Sequence, residues 1–120
     1  MAEKNRGFTR VFKAMFYSYQ GIIAAFKNEA AFRQELAIAF VLIPLAFWFD
    51  VTKLERVVLI LTVVIVLIVE LLNSGIESVV DRVGYERHEL AGRAKDMGSA
   101  AVFLSLMLMV FVWASILLFD

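Results

Sequence analysis

Four polar residues recur at helical spacing at the end of an apolar stretch: Glu70, Asn73, Glu77 and Asp81. At 100° per residue, intervals of three, seven and eleven place all four within about an 80° stripe of one helix, so together they can line one wall of a site. The uncharged run from Val57 to Val69 leads straight into Glu70. A helix that continues through it holds a carboxylate at membrane depth, where a charge must face protein, water or a cation. Three acidic groups on one stripe also repel each other, and a divalent cation relieves that repulsion. Oxygen donors without His or Cys point to Mg²⁺ rather than zinc, and Mg²⁺ keeps few protein ligands and favours phosphate oxygens. The stripe suits a metal-nucleotide site.

Simpler readings compete for each residue. Asp81 and Arg82 can be the solvated end of a span, and Glu77 can pair with a Lys or Arg of another helix. Glu29 and Arg33, spaced i,i+4, can form a surface ion pair. Glu70 resists this treatment, because even a structural role inside a span requires a buried partner.

The elements that position these groups follow from the composition. The chain has 120 residues, 62% of them hydrophobic, and a mean hydropathy of +0.80. One domain of this size has no interior able to hide so much apolar surface, which excludes a soluble monomer. Lys+Arg and Asp+Glu balance at 12 each, removing the global basic charge of a nucleic-acid binder. Without cysteine there is no disulfide or thiolate chemistry, and the single His precludes a zinc site of several His ligands in one chain.

Gly98 to Phe119 carries no charge; its length of about 33 Å matches a hydrocarbon core of roughly 30 Å. Leu36 to Phe49 is a shorter uncharged run that needs Ala30-Ala31-Phe32 to reach spanning length. The expected spans are 30–49, 54–80 and 97–119. Thr52-Lys53-Leu54-Glu55 reads as a capping box that starts a helix at Lys53, and Pro44 predicts a kink within the first span. Between Gly84 and Gly92, the polar segment Tyr85 to Ala91 reads as a loop, with His88 a loop residue. Tyr17, Tyr19, Trp48 and Trp113 read as interfacial anchors.

Ahead of the spans, Phe8, Val11, Phe12, Met15, Phe16, Tyr19, Ile22, Ile23 and Phe26 recur at spacings of three and four, which predicts an amphipathic surface helix over 8–26. A helix packed on the bundle without touching lipid is the alternative. Basic residues scattered through this stretch, with no compact apolar core, argue against a cleavable signal peptide. Lys and Arg concentrate before the first span and between the second and third, which orients the N-terminus to the cytoplasm. All charged residues except Asp50, Lys53, Glu55, Arg56 and Asp120 then fall at the cytoplasmic edge. Physical reasoning stops here, at a three-span membrane protein with a cytoplasm-facing acidic site. No phosphate loop or kinase-type glycine loop names a reaction.

Three blocks carry a resemblance: Glu29-Ala-Ala-Phe-Arg-Gln-Glu35, Val69-Glu-Leu-Leu-Asn-Ser-Gly-Ile-Glu77, and Gly92-Arg-Ala-Lys-Asp-Met-Gly-Ser-Ala-Ala101. In order and spacing they resemble the signature segments of the small bacterial integral-membrane diacylglycerol kinases. The likeness extends to Gly7-Phe-Thr-Arg10 and the Asn28-Glu29 junction, and spans essentially the whole chain. It implies an all-α integral membrane fold, a homotrimer of three-span subunits each with an N-terminal surface helix. It also implies transfer of the γ-phosphate of Mg-ATP to the 3-hydroxyl of diacylglycerol in the bacterial inner membrane. Gly75 stands where a small residue such as Ala is usual in the family and Tyr19 where a Trp is; neither touches the chemistry the resemblance implies, and the second leaves lipid selectivity open.

By matched position, the resemblance makes Glu70 the general base and Glu29 and Glu77 the Mg²⁺ ligands, with Asn73, Glu35, Arg33 and Asp81 in support. Arg10, Tyr17, Glu29, Glu77, Glu86, Arg87, His88, Lys95 and Asp96 correspond to nucleotide contacts. The acceptor lipid corresponds to Ala14, Met15, Phe16, Tyr17, Ser18 and Tyr19, then Ile23, Ala24, Ala25 and Phe26, and Ala31, Phe32, Arg33, Gln34 and Glu35. Further along it corresponds to Trp48, Phe49, Asp50, Val51, Arg56, Glu70 and Ser99, and to Trp113, Ala114, Ser115, Ile116, Leu117 and Leu118. Some members of the family phosphorylate undecaprenol instead. A small cation-coupled transporter would also place one Glu in a span, but gives no reason for Glu29, Glu77 and Asp96 to gather at one face.

Overall fold

The computed structural model describes residues 2–84 and 89–119, with side chains from Gly7 onward. Four helices follow in order: α1 (Ala2–Asn28), α2 (Ala30–Trp48), α3 (Lys53–Val83) and α4 (Glu89–Leu118). The last three are each long and apolar enough to cross a membrane. Central in the bundle, α3 packs against both α2 and α4.

The buried residues explain that packing. Helix α2 buries Phe32, Ala39 and Ala46, one residue every seven. Leu59, Thr62, Val63, Val66, Glu70, Asn73 and Ser74 form a stripe on α3, alternating steps of three and four. Gly98, Ser105, Met109 and Trp113 face it from α4. Spacings of this kind keep one seam facing a neighbour. Small residues in the seam (Ala39, Ala46, Gly98 and Ser105) let backbones approach closely, which is how helices associate where lipid removes the hydrophobic drive.

The helix ends are fastened by named side chains. Thr52 Oγ1 accepts from the Glu55 amide at 3.1 Å and Glu55 Oε1 accepts from the Thr52 amide at 2.9 Å, so the capping box forms and α3 starts at Lys53. Across the same turn, the Arg56 guanidinium donates to the carbonyls of Ala46 (3.0 Å) and Phe49 (3.2 Å) at the end of α2. Arg33 does the same for α1, donating to the carbonyls of Phe26 (2.7 Å) and Lys27 (3.3 Å). Both cations sit where a helix C-terminus is most negative. The i,i+4 ion-pair reading of Arg33 with Glu29 is thereby corrected: free carbonyls at the end of α1 are the better acceptors within its reach.

Two further expectations are revised. Residues Glu89, Leu90 and Ala91 are helical, so the loop expected to run to Ala91 ends earlier and Gly92 lies inside α4. An acidic residue in the first turn and the Glu89–Arg93 pair at 3.8 Å favour this earlier start. Trp113 is no exposed anchor. It is buried, and its Nε1 donates to the Leu59 carbonyl (3.1 Å) and to Thr62 Oγ1 (3.2 Å), while Thr62 Oγ1 donates to the same carbonyl at 2.8 Å. A buried indole N–H needs a partner, and α3 supplies one. Trp48, Tyr17 and Tyr19 remain exposed. At Pro44, α2 continues as one helix.

Candidate active site

At the other end of the α3 seam the buried residues turn polar. Glu70 is 4% exposed, Ser74 7% and Asn73 9%. Glu77, one turn further, is half-buried, and Asp81 is exposed. The stripe read from spacing is thus a gradient running from a buried carboxylate to a solvent-facing one.

Side chains from other elements converge on it. The carboxylates of Glu35, on α2, and Glu29, between α1 and α2, lie within electrostatic reach of Glu70, as does Glu77. Asn73 is within hydrogen-bonding reach of Glu70, and its Nδ2 stands 3.5 Å from Glu77 Oε2. Glu29 occupies the N-cap position of α2 with no side-chain capping bond, so its carboxylate is not used up by the backbone. From α4, Lys95 Nζ pairs with Asp81 Oδ1 at 2.7 Å. Lys95 precedes the uncharged run that begins at Gly98; the hydrogen bond to Asp81, and then the charges of Asp81 and Glu77, raise its ammonium pKa above the ordinary value.

Two acceptors remain open. Among the described residues, Asn73 Oδ1 and Ser74 Oγ are buried without a hydrogen-bond partner. Unmet buried polar atoms are costly and rare, so this pair, on the turn that follows Glu70, makes this part of the seam the candidate site. Ser74 also lines a cleft of about 460 Å³ between α1 and α3, bordered by Gly21, Ala25, Glu29, Gly75 and Ser78. Its volume falls within the ordinary range of small-molecule sites. Sequence reasoning missed this cleft. The available signal was a pair of small-residue repeats, Gly21-x-x-x-Ala25 and Ser74-x-x-x-Ser78, which mark closely approaching helices.

Among the described residues no three acidic or His side chains form a ready-made metal cage. The donors at hand, the carboxylates of Glu29 and Glu77, are oxygens, and the Asn73 amide lies beside Glu77. Such a sparse oxygen set fits an ion that takes one or two carboxylates and completes its shell with phosphate and water.

The other expected site residues fall into separate groups. Arg10 and Tyr17 are exposed on α1, and Asp96 is exposed on α4. Glu86, Arg87 and His88 lie outside the described residues. Of the lipid set, Ala14 to Tyr19 are exposed, Ile23 is half-buried, Ala25 and Phe32 are buried, and Gln34 and Ser99 are exposed. Trp48, Phe49, Asp50, Val51 and Arg56 gather at the α2–α3 turn, and Trp113 packs on Leu59 just beyond it. That second group is separated from Glu70 by three to four turns of α3, roughly 16 to 21 Å. The lipid set therefore does not form one patch in a single chain.

These features define a class: an all-helical protein with three membrane-length helices and a carboxylate site held between them. Residues 16–117 match the family model described as prokaryotic diacylglycerol kinase. A diacylglycerol kinase of Escherichia coli (strain K12) is 53% identical over 117 residues, covering 98% of this chain and 96% of the relative. One from Haemophilus influenzae is 52% identical over 116 residues, 97% of this chain and 98% of its own. A third, from Pseudomonas aeruginosa, is 53% identical over 112 residues, 93% and 91% respectively. The chain belongs to the prokaryotic diacylglycerol kinase family and is a kinase.

Proposed function

We propose that the carboxylate face of α3 transfers the γ-phosphate of ATP to the hydroxyl of diacylglycerol, giving phosphatidate and ADP. The observation that carries this reading is Glu70, a buried carboxylate on a membrane-length helix with Glu29, Glu35 and Glu77 around it. The relatives' printed activity supports the acceptor.

In this mechanism Glu70 accepts the proton of the lipid hydroxyl as its oxygen bonds to the γ-phosphorus and the bond to the β,γ-bridging oxygen breaks. General-base help of this kind contributes about 10²- to 10⁴-fold. Glu29 and Glu77 would hold Mg²⁺, with Asn73 near the same centre, and the ion would neutralise charge on the phosphates. Glu77 lies seven residues from Glu70, roughly 10 Å along the helix, which separates a lipid-facing base from a water-facing nucleotide end. Arg10, Tyr17, Lys95 and Asp96 would contact the nucleotide, with Lys95 sharing its ammonium between Asp81 and phosphate.

The same reading places α1 as an amphipathic helix on the membrane surface, supported by the exposed Phe8, Phe12, Phe16 and Phe26. It places the N-terminus and the site on the cytoplasmic side of the inner membrane, supported by the distribution of Lys and Arg. The homotrimer is what the family resemblance implies, and the flat body, 52 × 46 × 22 Å, fits a site shared between subunits because it cannot enclose a nucleotide and a lipid by itself. Mixing Arg10-defective with Glu70-defective subunits tests the shared site, and restored activity is expected.

The direct test uses purified protein in mixed micelles with Mg-ATP and either diacylglycerol or undecaprenol, following ADP release. Diacylglycerol-dependent ADP is expected. Release with undecaprenol alone would change the acceptor, and none with either would favour a transport or structural role.

A further inference from the structure

We propose that Gly98 is a positioning residue whose missing side chain sets the orientation of the Asn73 carboxamide. The inference rests on the phosphoryl-transfer reading of the α3 site and goes beyond it by assigning a role on α4.

Gly98 is buried where α4 crosses Asn73. A Cβ built at Gly98 would collide with Asn73 Oδ1 and come within 3.2 Å of Asn73 Cγ. Gly92, two turns earlier on the same helix, meets nothing within 4 Å, so the need for glycine is local to position 98. The atom in the way is the end of a side chain, which can swing aside at little conformational cost. What it cannot do is swing aside and keep its place. With Oδ1 against Gly98, Nδ2 is turned toward Glu77, and among the described residues Oδ1 is buried without a partner. A methyl at position 98 would therefore be tolerated by the helix and would displace the amide from the carboxylates of Glu70 and Glu77.

This separates positioning from packing. Alanine is a better helix former than glycine, so Gly98→Ala is expected to unfold at the same temperature as the native protein or above it. A group displaced by about an ångström at a reacting centre can cost on the order of 10²-fold in rate. The purified variant is expected to show a fall in kcat of that size, with KM for diacylglycerol within about twofold of native, whereas Gly92→Ala keeps native kcat. A readout without turnover is the side-chain amide signal of Asn73 in ¹⁵N NMR, assigned by its loss in Asn73→Ala. Gly98→Ala is expected to move that signal and Gly92→Ala to leave it in place. An unmoved Asn73 signal, or native kcat in Gly98→Ala, would overturn the proposal. Because the NMR arm involves no acceptor, a moved signal in a protein inactive on diacylglycerol would count against the substrate reading alone.

Discussion

The buried seam of α3 contains two polar groupings about three turns apart, and they differ in one respect. Near the α2–α3 turn, Thr62, the Leu59 carbonyl and the Trp113 indole satisfy each other completely. Around Glu70, Glu29, Glu35 and Glu77 each lie within electrostatic reach of its carboxylate, and among the described residues Asn73 Oδ1 and Ser74 Oγ are buried without a hydrogen-bond partner. The first arrangement locks helices together, since a buried polar group in an apolar medium needs a partner. Where buried polarity is closed it holds the fold; where it is open lies the proposed chemistry.

Mutation can break this contrast from either side. The largest effect is expected for Glu70→Gln, which should cut phosphate transfer by about 10²- to 10⁴-fold while Mg-ATP still binds. ADP release and nucleotide binding measured side by side decide it, and near-normal turnover removes Glu70 as base. Glu77→Gln should shift the Mg²⁺ titration of activity by roughly tenfold or more, and an unmoved titration removes it as a ligand. At the closed end, Trp113→Phe should lower thermal stability by about 1 kcal/mol with turnover retained. A raised KM for diacylglycerol at unchanged stability would instead place Trp113 at the lipid.

The smallest effect is expected at the exposed rim. Lys95 has a pKa raised by its bond to Asp81 from the ordinary 10.5. A raised lysine contributes its stability in full below that ordinary value and loses it as pH climbs through the raised one. Asp81→Asn should bring the Lys95 titration, followed by NMR, back down toward 10.5 and remove the pair's contribution at neutral pH, a small loss because both side chains are open to solvent. An unaltered titration would mean the pair does not hold in solution.

The parts legible in the sequence are those governed by near neighbours. The capping box at Thr52 and Glu55 spans three residues, and the Glu70 to Asp81 stripe depends only on helical period. The spans follow from length and the absence of charge. The parts that escaped depend on partners distant in the chain. Trp113 looked like an anchor because nothing local reveals that Leu59 and Thr62, more than fifty positions away, accept its N–H. Arg33 and Arg56 were read through the charges near them or the lipid, yet both spend their guanidiniums on carbonyls of the preceding helix. Gly98 is one glycine at the head of an apolar run, and only the crossing of α4 over Asn73 gives it meaning. The cleft between α1 and α3 left a faint trace in paired small residues, too common in membrane helices to single out.

The junction of α1 and α2 has one further consequence. Glu29 alone separates Asn28, the end of one helix, from Ala30, the start of the next, and its extended backbone makes the corner. Its own amide still bonds back to Ala25 and its carbonyl forward to Arg33, so the corner has no slack on either side. Any change in the angle between the two helices must be absorbed by the torsions of that one residue, and its carboxylate travels with them. With α1 on the membrane surface, as proposed, bilayer thickness and curvature would set how α1 lies against α2 and so become mechanical inputs to the position of an acidic group in the proposed site.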